Sequence, residues 1–250
     1  MVPIFEPEGD DKKALAKVEG VAATLDSKTG GAVKEMIETF EFKGKPKSSQ
    51  VVRVQGVAFK NLAIVGAGKS DKMDATGAAG LGAALASLAN VHKAKSAAVV
   101  LPEGASAEWV AALSEAVQLG LYQDTRFKSE PEETKTPTLA SVAVLAFKGD
   151  AADALARAPH LAAGVGLARD LVSAPPNYVT PTMLAEVAQG IAKDHAGFTA
   201  TVLDRAECEK RGMGAYLGVA QGACEPPKFI HLTYKGKGES PPPPPTVAPT

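Results

Sequence analysis

The stretch Leu62-Ala63-Ile64-Val65-Gly66-Ala67-Gly68-Lys69-Ser70 decides the fold class once its continuation is added: Leu81, Leu85, Leu88 and Val91 at helical spacing, then Ala97 to Leu101 before Pro102. An apolar run, an Ala- and Gly-rich helix that can lie close to a sheet, and a second apolar run ended by proline make a strand–helix–strand unit. Repetition of that unit predicts an α/β layer fold.

Working outward from this unit, Val51 to Val57 reads as a strand paired with Leu62 to Val65 across Ala58 to Asn61. Before it, Leu15, Val18, Ala22 and Leu25 mark one helical face. Val33, Met36, Ile37 and Phe40 mark another after Gly30-Gly31, so two short helices are expected ahead of the first clear strand. Beyond Pro102, Ser106 is the expected N-cap of a helix carrying Trp109, Val110, Leu113 and Val117, with Gly120 as its stop. Ser129 to Pro137 reads as a polar loop and Ser141 to Phe147 as a strand. From Asp150 to Ser173 runs a long helical pattern that Pro159 should kink or split.

A new unit opens at Ala174-Pro175-Pro176-Asn177. Thr180 as N-cap and Pro181 at the first helical position start a helix through Leu184, Val187 and Ile191, closed by Gly197. Phe198 to Leu203 reads as a strand, Asp204 and Glu207 as a capping-box start for a short helix ended by Gly212, and Lys228 to Tyr234 as a last strand. These few elements are too little to close a large core. Gly236 to Ser240 and the run Pro241 to Pro245 suit an extended chain and no packed element.

Composition narrows the function classes. The chain has 250 residues, 45% hydrophobic and 22% charged, with 27 Lys and Arg against 28 Asp and Glu. A net charge of -1 supplies no general attraction to nucleic acid or to acidic membranes. No apolar run approaches the roughly 20 residues of a membrane-spanning helix. Met1 to Asp10 has neither the basic and apolar regions of a secretory signal nor the Arg/Ser-rich look of a transit segment, so a cytoplasmic location is expected, with a plastid left open. The two cysteines, Cys208 and Cys224, lie in no metal-knuckle pattern and read as reduced, half-buried thiols.

No assembled active site emerges from the residues. Gly66-Ala67-Gly68-Lys69-Ser70 follows a strand, but a Walker loop would need glycine at Ala63 and a dinucleotide fingerprint would need it at Asp71. The bland reading is a tight strand-exit turn, with small-ligand binding at the strand ends near Gly66 to Ser70 as a further reading by fold analogy. His92, His160, His195 and His231 are scattered without ligand spacing and read as surface or edge residues. Asp10, Asp11, Asp150, Asp153, Asp204, Glu207 and Glu209 read as helix starts and solvated faces. Cys208, between Glu207 and Glu209, is a poor nucleophile because neighbouring carboxylates favour the neutral thiol. No residue is therefore assigned to catalysis, to a cofactor or to a metal.

Three stretches carry a resemblance. Ala168-Arg169-Asp170-Leu171-Val172-Ser173-Ala174-Pro175-Pro176-Asn177-Tyr178-Val179-Thr180-Pro181 is similar to the connector that leads into the catalytic domain of the leucyl aminopeptidase, or cytosol aminopeptidase, family. Gly212 to Gly222 with Glu225 to Tyr234, and Leu121 to Lys128 with Gly56 to Lys60, resemble the same family, the last pair its plant, algal and cyanobacterial branch. The resemblance runs from about Glu8 to Tyr234 and reaches about the first half of a family member.

It implies an N-terminal three-layer α/β domain with a mixed sheet flanked by helices over 1–173, the opening of an α/β catalytic domain over 174–235, and a Pro-rich tail over 236–250. By the same resemblance, Met1 to Phe5 supplies part of a first strand. For a complete relative it implies removal of the N-terminal residue of a peptide by two divalent ions, zinc or manganese, which acidify a bridging water. The metal-binding and catalytic residues of the family follow the strand matched by Phe229 to Tyr234. This chain is accordingly expected to lack activity alone, and to associate, if at all, as a homo-oligomer or with full-length paralogues, the family being hexameric. The alternative is a non-catalytic interaction or regulatory module, its proline run a ligand for aromatic-grooved domains.

Overall fold

The computed structural model describes residues 1–8, 14–129 and 137–236, and a break between Val172 and Ser173 divides them into two compact units. The first unit contains β1 (Val2–Phe5), α1 (Gly20–Lys28), α2 (Ala32–Thr39), β2 (Ser49–Arg53), β3 (Asn61–Gly68), α3 (Ala75–Val91), β4 (Ser96–Val100), α4 (Ala107–Leu121), β5 (Ser141–Leu145) and α5 (Ala152–Ser173). β3 pairs antiparallel with β2 and parallel with β1, and β4 pairs parallel with β5. Met1 joins the two ladders: its nitrogen donates to the Ala98 carbonyl at 2.6 Å, and its carbonyl accepts from Val100 N at 3.0 Å. That is the pattern of a parallel bridge. The strand order is thus β2-β3-β1-β4-β5, a mixed sheet with its one antiparallel member at an edge.

Strand alternation sends side chains to two faces. Val2, Ile4, Leu62 and Ile64 pack in one core with Val33, Met36 and Ile37 of α2 and Ala22 of α1. Val65, Val99 and Leu101 enter the opposite core with Leu81 and Leu85 of α3 and Val110, Leu113 and Val117 of α4. Helices on both faces make three layers, the mixed α/β architecture expected. Glycine lets α3 and α4 approach closely: a side chain at Gly82 would run into the Leu113 carbonyl, and a Cβ on Gly120 would come within 2.7 Å of Ala86 Cβ. Gly120 is therefore a packing residue inside α4, not the stop read from the sequence.

Several boundaries differ from the periodicity reading, each for a local reason. The first element is β1, a central strand. Leu15 and Val18 precede α1 in irregular chain, because Gly20 sits at φ +57° and the helix starts there, although both side chains still pack on the core. Phe40 caps the end of α2 at 41% exposure, and Val91 at the end of α3 is 72% exposed, so neither is core. α5 runs its 22 residues through Pro159 without splitting. Residues 130–136 of the loop, Asp10, Asp11 and the proline run lie outside the described residues.

The second unit holds α6 (Pro181–Asp194), β6 (Phe198–Leu203), α7 (Arg205–Lys210), α8 (Gly214–Val219) and β7 (Phe229–Tyr234). β6 and β7 pair antiparallel from Phe198↔Tyr234 to Leu203↔Phe229. Thr180 Oγ1 accepts from Met183 N at 3.3 Å. Asp204 Oδ1 accepts from Glu207 N at 2.9 Å while Glu207 Oε2 accepts from Asp204 N at 3.2 Å, so the capping box is complete. Gly197 (φ +89°) and Gly212 (φ +68°) make the turns after α6 and α7. The core is small, with Leu203, Cys208 and Leu217 buried and Met213 and Tyr216 against them. α8 has no counterpart among the elements read from periodicity, being a single short turn of helix.

Cys208 is fully buried and Cys224 exposed, so neither is the half-buried thiol expected. One thiol per chain should react with Ellman's reagent in the folded protein, and the second only on denaturation, because a disulfide reagent cannot reach a sulfur sealed in a core. Two equally fast thiols would contradict this packing.

Candidate functional site

The glycine stretch at the end of β3 is built for backbone crossing. A side chain on Gly66 would overlap the Lys45 carbonyl and lie 2.5 Å from Ser48 Oγ, and Gly66 N donates to Ser48 O at 2.9 Å. Gly68, at φ +78°, donates to Gly44 O at 2.9 Å and accepts from Glu6 N at 2.8 Å. Both glycine amides of the stretch are thus already committed and not free for a phosphate. Downstream, Asp74 caps α3 by accepting from Gly77 N at 2.8 Å, placing a carboxylate where an anion would bind. The stretch makes a tight crossing and offers phosphate no cradle.

Metal donors are equally dispersed. Among the described residues no three His, Cys, Asp or Glu side chains gather at one point. All four histidines are exposed: His92 and His195 end α3 and α6, His160 lies on α5, and His231 on β7 sits 3.3 Å from Thr233 Oγ1. Asp150 accepts from Ala152 N at 2.9 Å, a capping contact at the start of α5. A two-metal centre needs several carboxylates converging within a few ångströms. The described residues do not fit one, and no hydrolytic step can be derived through them.

The strongest polar constellation lies elsewhere, between the segment after α4 and the last turns of α5. Arg126 grips Asp124 with two bonds, Nε to Oδ1 at 2.9 Å and Nη2 to Oδ2 at 2.8 Å, and also donates from Nη2 to the Asp170 carbonyl at 2.5 Å. Tyr122 donates its hydroxyl to Asp170 Oδ1 at 2.5 Å. Arg169 donates to the Leu119 carbonyl at 2.9 Å and stands 5.4 Å from the Tyr122 ring centroid. Ala158, near the start of α5, is the one buried residue of that helix, so the cluster acts as a clasp on its last turns. Sequence reading quoted Leu121 to Lys128 and Arg169-Asp170 for resemblance but had no signal that they meet, since 44 residues separate Arg126 from Asp170.

The clasp has a pH signature at both extremes. The hydrogen bonds from Arg126 hold the Asp124 carboxyl at about 2, below its ordinary 3.8. A lowered carboxylate value means that this stabilisation is present above pH ~4 and is lost as pH falls through the folded value. The hydrogen bond to Asp170, with burial and the nearby carboxylates adding to it, pushes Tyr122 up to about 12 from 10.0. A raised value for an acid means stabilisation present below pH ~10 and lost as pH rises past it. In a phenolate absorbance titration of the four tyrosines, the component missing from Tyr122→Phe should be the last to ionise, and Asp170→Asn should move it down. Ionisation of Tyr122 together with the other three would contradict the clasp.

Known proteins share both the sequence and the fold of this chain. The model of the cytosol aminopeptidase family, N-terminal domain, matches residues 1–131, and that of the catalytic domain of the same family matches 166–247. A "Probable cytosol aminopeptidase" of Nostoc punctiforme is 44% identical over an aligned length of 247, covering 94% of this chain and 49% of that protein. Its namesake in Microcystis aeruginosa is 41% identical over 93% of this chain and 46% of its own length. The chain spans about half the length of the curated relatives it matches. Among solved structures, a mutant of tomato leucine aminopeptidase superposes with a TM-score of 0.81 at 33% identity, over 96% of this chain and 48% of that one. The bottromycin maturation enzyme BotP in complex with Mn gives 0.68 at 25% identity, over 80% and 42%. With both family models matched in order, and the first covering more than half of its residues, this chain belongs to the cytosol aminopeptidase family.

Proposed function

We propose that this chain serves a metal-dependent aminopeptidase, an enzyme releasing N-terminal residues from peptides, as its N-terminal α/β domain (1–173) and the opening of its catalytic domain (174–235), with 236–250 a Pro-rich tail. The observation that carries the reading is the match of both family models in succession, each on its own part of the chain. The chemistry in the complete relative is metal-assisted hydrolysis, with zinc or manganese supplying a Lewis acid and an acidified water. The manganese-bound relative supports that choice of ion class. What these residues contribute is scaffold: a rigid three-layer domain and the clasped helix α5.

Taken by itself, the 250-residue polypeptide is proposed to be inactive, since its described residues do not assemble a metal-binding group. A homo-oligomer, a cytoplasmic location with a plastid left open, and association with full-length paralogues belong to the same proposal. No described helix is long and apolar enough to cross a membrane. The reading as a stand-alone interaction module has no observation in its favour, because the second family model extends into the catalytic domain.

A chimera tests the scaffold role. Residues 1–235 substituted for the matching half of the Nostoc punctiforme relative should retain Mn²⁺-dependent release of leucine from a peptide, provided the unaltered relative is active. A folded chimera without activity, beside an active parent, would defeat the reading.

A further inference from the structure

β1 and β4 lie side by side, but their pairing stops after Met1. In a parallel strand the residues facing one neighbour alternate, so Met1, Pro3 and Phe5 face β4, while Val2, Ile4 and Glu6 face β3. The Val2 and Ile4 pairings with β3 and the bond from Glu6 N to Gly68 O agree with this. Pro3 has no N–H to donate, and β4 ends at Val100 before Leu101 and Pro102, whose own missing donor prevents its continuation. The two strands therefore part at their carboxyl ends and leave a cavity of about 400 Å³.

This is also the point where the chain's connections diverge: from β1 the chain runs through α1 and α2 to β2 on one side, and from β4 through α4 to β5 on the other. Such switch points are where open α/β sheets place their ligands. The floor is apolar, made by Ile4 and Leu101, which are 1% and 0% exposed. Among the described residues that line it, the charged side chains are Glu6, Glu8, Glu19 and Glu103 against the cation Lys17. Among the described residues none of these carboxylates is engaged in an ion pair. Trp109 completes the lining.

The start of α1 (Gly20 to Ala22) also borders the cavity and, as a helix N-terminus, favours anions. Its effective charge of roughly +0.5 is outweighed by the excess of carboxylates. Phosphate-bearing ligands are therefore disfavoured here. An apolar floor and an indole suit a hydrated divalent ion poorly, but suit an alkyl chain whose cationic groups meet carboxylates and an aromatic face.

We propose that this cleft binds an aliphatic polyamine, a flexible hydrocarbon carrying two or more ammonium groups, independently of any aminopeptidase activity. Trp109 is the one tryptophan of the chain, so its emission reports the site directly. Titration of the full chain with spermidine should change that emission saturably. Glu19→Gln/Glu103→Gln, at exposed rim positions that leave the fold intact, should weaken binding about tenfold, the effect of losing two solvent-exposed charge contacts. Glu35→Gln/Glu38→Gln on α2, outside the cavity, should leave it unchanged.

The proposal is overturned if spermidine leaves the emission unaltered, if both double variants weaken binding equally, which would mean attraction to the surface in general, or if ADP-ribose or Mg²⁺ saturates the signal in place of spermidine.

Discussion

Gly66→Ala should unfold the first unit under conditions where the unaltered chain is fully folded. The glycine sits inside β3, an interior strand of the sheet, with the chain that leads into β2 folded directly over it. An added methyl group would meet the Lys45 carbonyl carbon at 2.6 Å and Ser48 Oγ at 2.5 Å, as well as overlapping the carbonyl oxygen. Side-chain ends can rotate away from such a clash, but a peptide carbonyl can move only with its whole segment. That movement would break the bond from Gly66 N to Ser48 O and disturb the register from Ser49↔Val65 onward.

Overpacking typically costs 1–3 kcal/mol when the neighbours can adjust. Here they are backbone, so we expect a loss above about 3 kcal/mol, a large part of the roughly 5–15 kcal/mol that holds a domain folded. Urea unfolding followed by far-UV circular dichroism measures it directly. A midpoint within error of the unaltered chain would show that the segment from Lys45 to Ser48 is not held against β3 as described.

The second large effect is an absence of rate. Leucine p-nitroanilide mixed with the 250-residue polypeptide and Mn²⁺ should hydrolyse no faster than in buffer. Enzymes of this chemical class accelerate hydrolysis by at least ~10⁶-fold, so even a trace of native catalysis would stand far above background. Acceleration of that size requires metal-held water and groups placed around it. The described histidines, carboxylates and thiols are spread over separate elements, with Asp74, Asp150, Asp204 and Glu207 engaged in helix capping and Asp124 and Asp170 in the clasp. Turnover that persists through purification to constant specific activity would contradict the assignment of this chain to scaffold.

How much of this was legible in the sequence follows from the range of the forces involved. Caps are local, and Ser106, Thr180 and the Asp204–Glu207 box were all readable because each acts over three residues. The β3–α3–β4 unit was equally plain, since burial on one face writes its period into the chain. β1 escaped the periodicity reading because four residues containing a proline carry no periodic signal, although β1 is central in the sheet. Its place depends on pairing with residues 62 positions or more away.

Gly120 looked like a helix stop, since glycine commonly ends helices. Its actual role, clearance for Ala86 on α3, is a tertiary fact. Leu15 and Val18 kept a helical period yet lie outside α1, where the positive φ at Gly20 overrides periodicity. The clasp of Tyr122, Asp124, Arg126 and Asp170 was invisible for the same reason as β1: its members are separated in the chain and joined only by the fold. Family resemblance reached further than periodicity because it compares whole arrangements rather than local forces.

Equilibrium dialysis of the folded chain against Mn²⁺ or Zn²⁺, with bound metal measured after a low-affinity chelator wash, tests the central claim most directly. The account predicts no metal retained in stoichiometric amount. Two ions retained per chain would show that this polypeptide already holds the hydrolytic centre, and would contradict it.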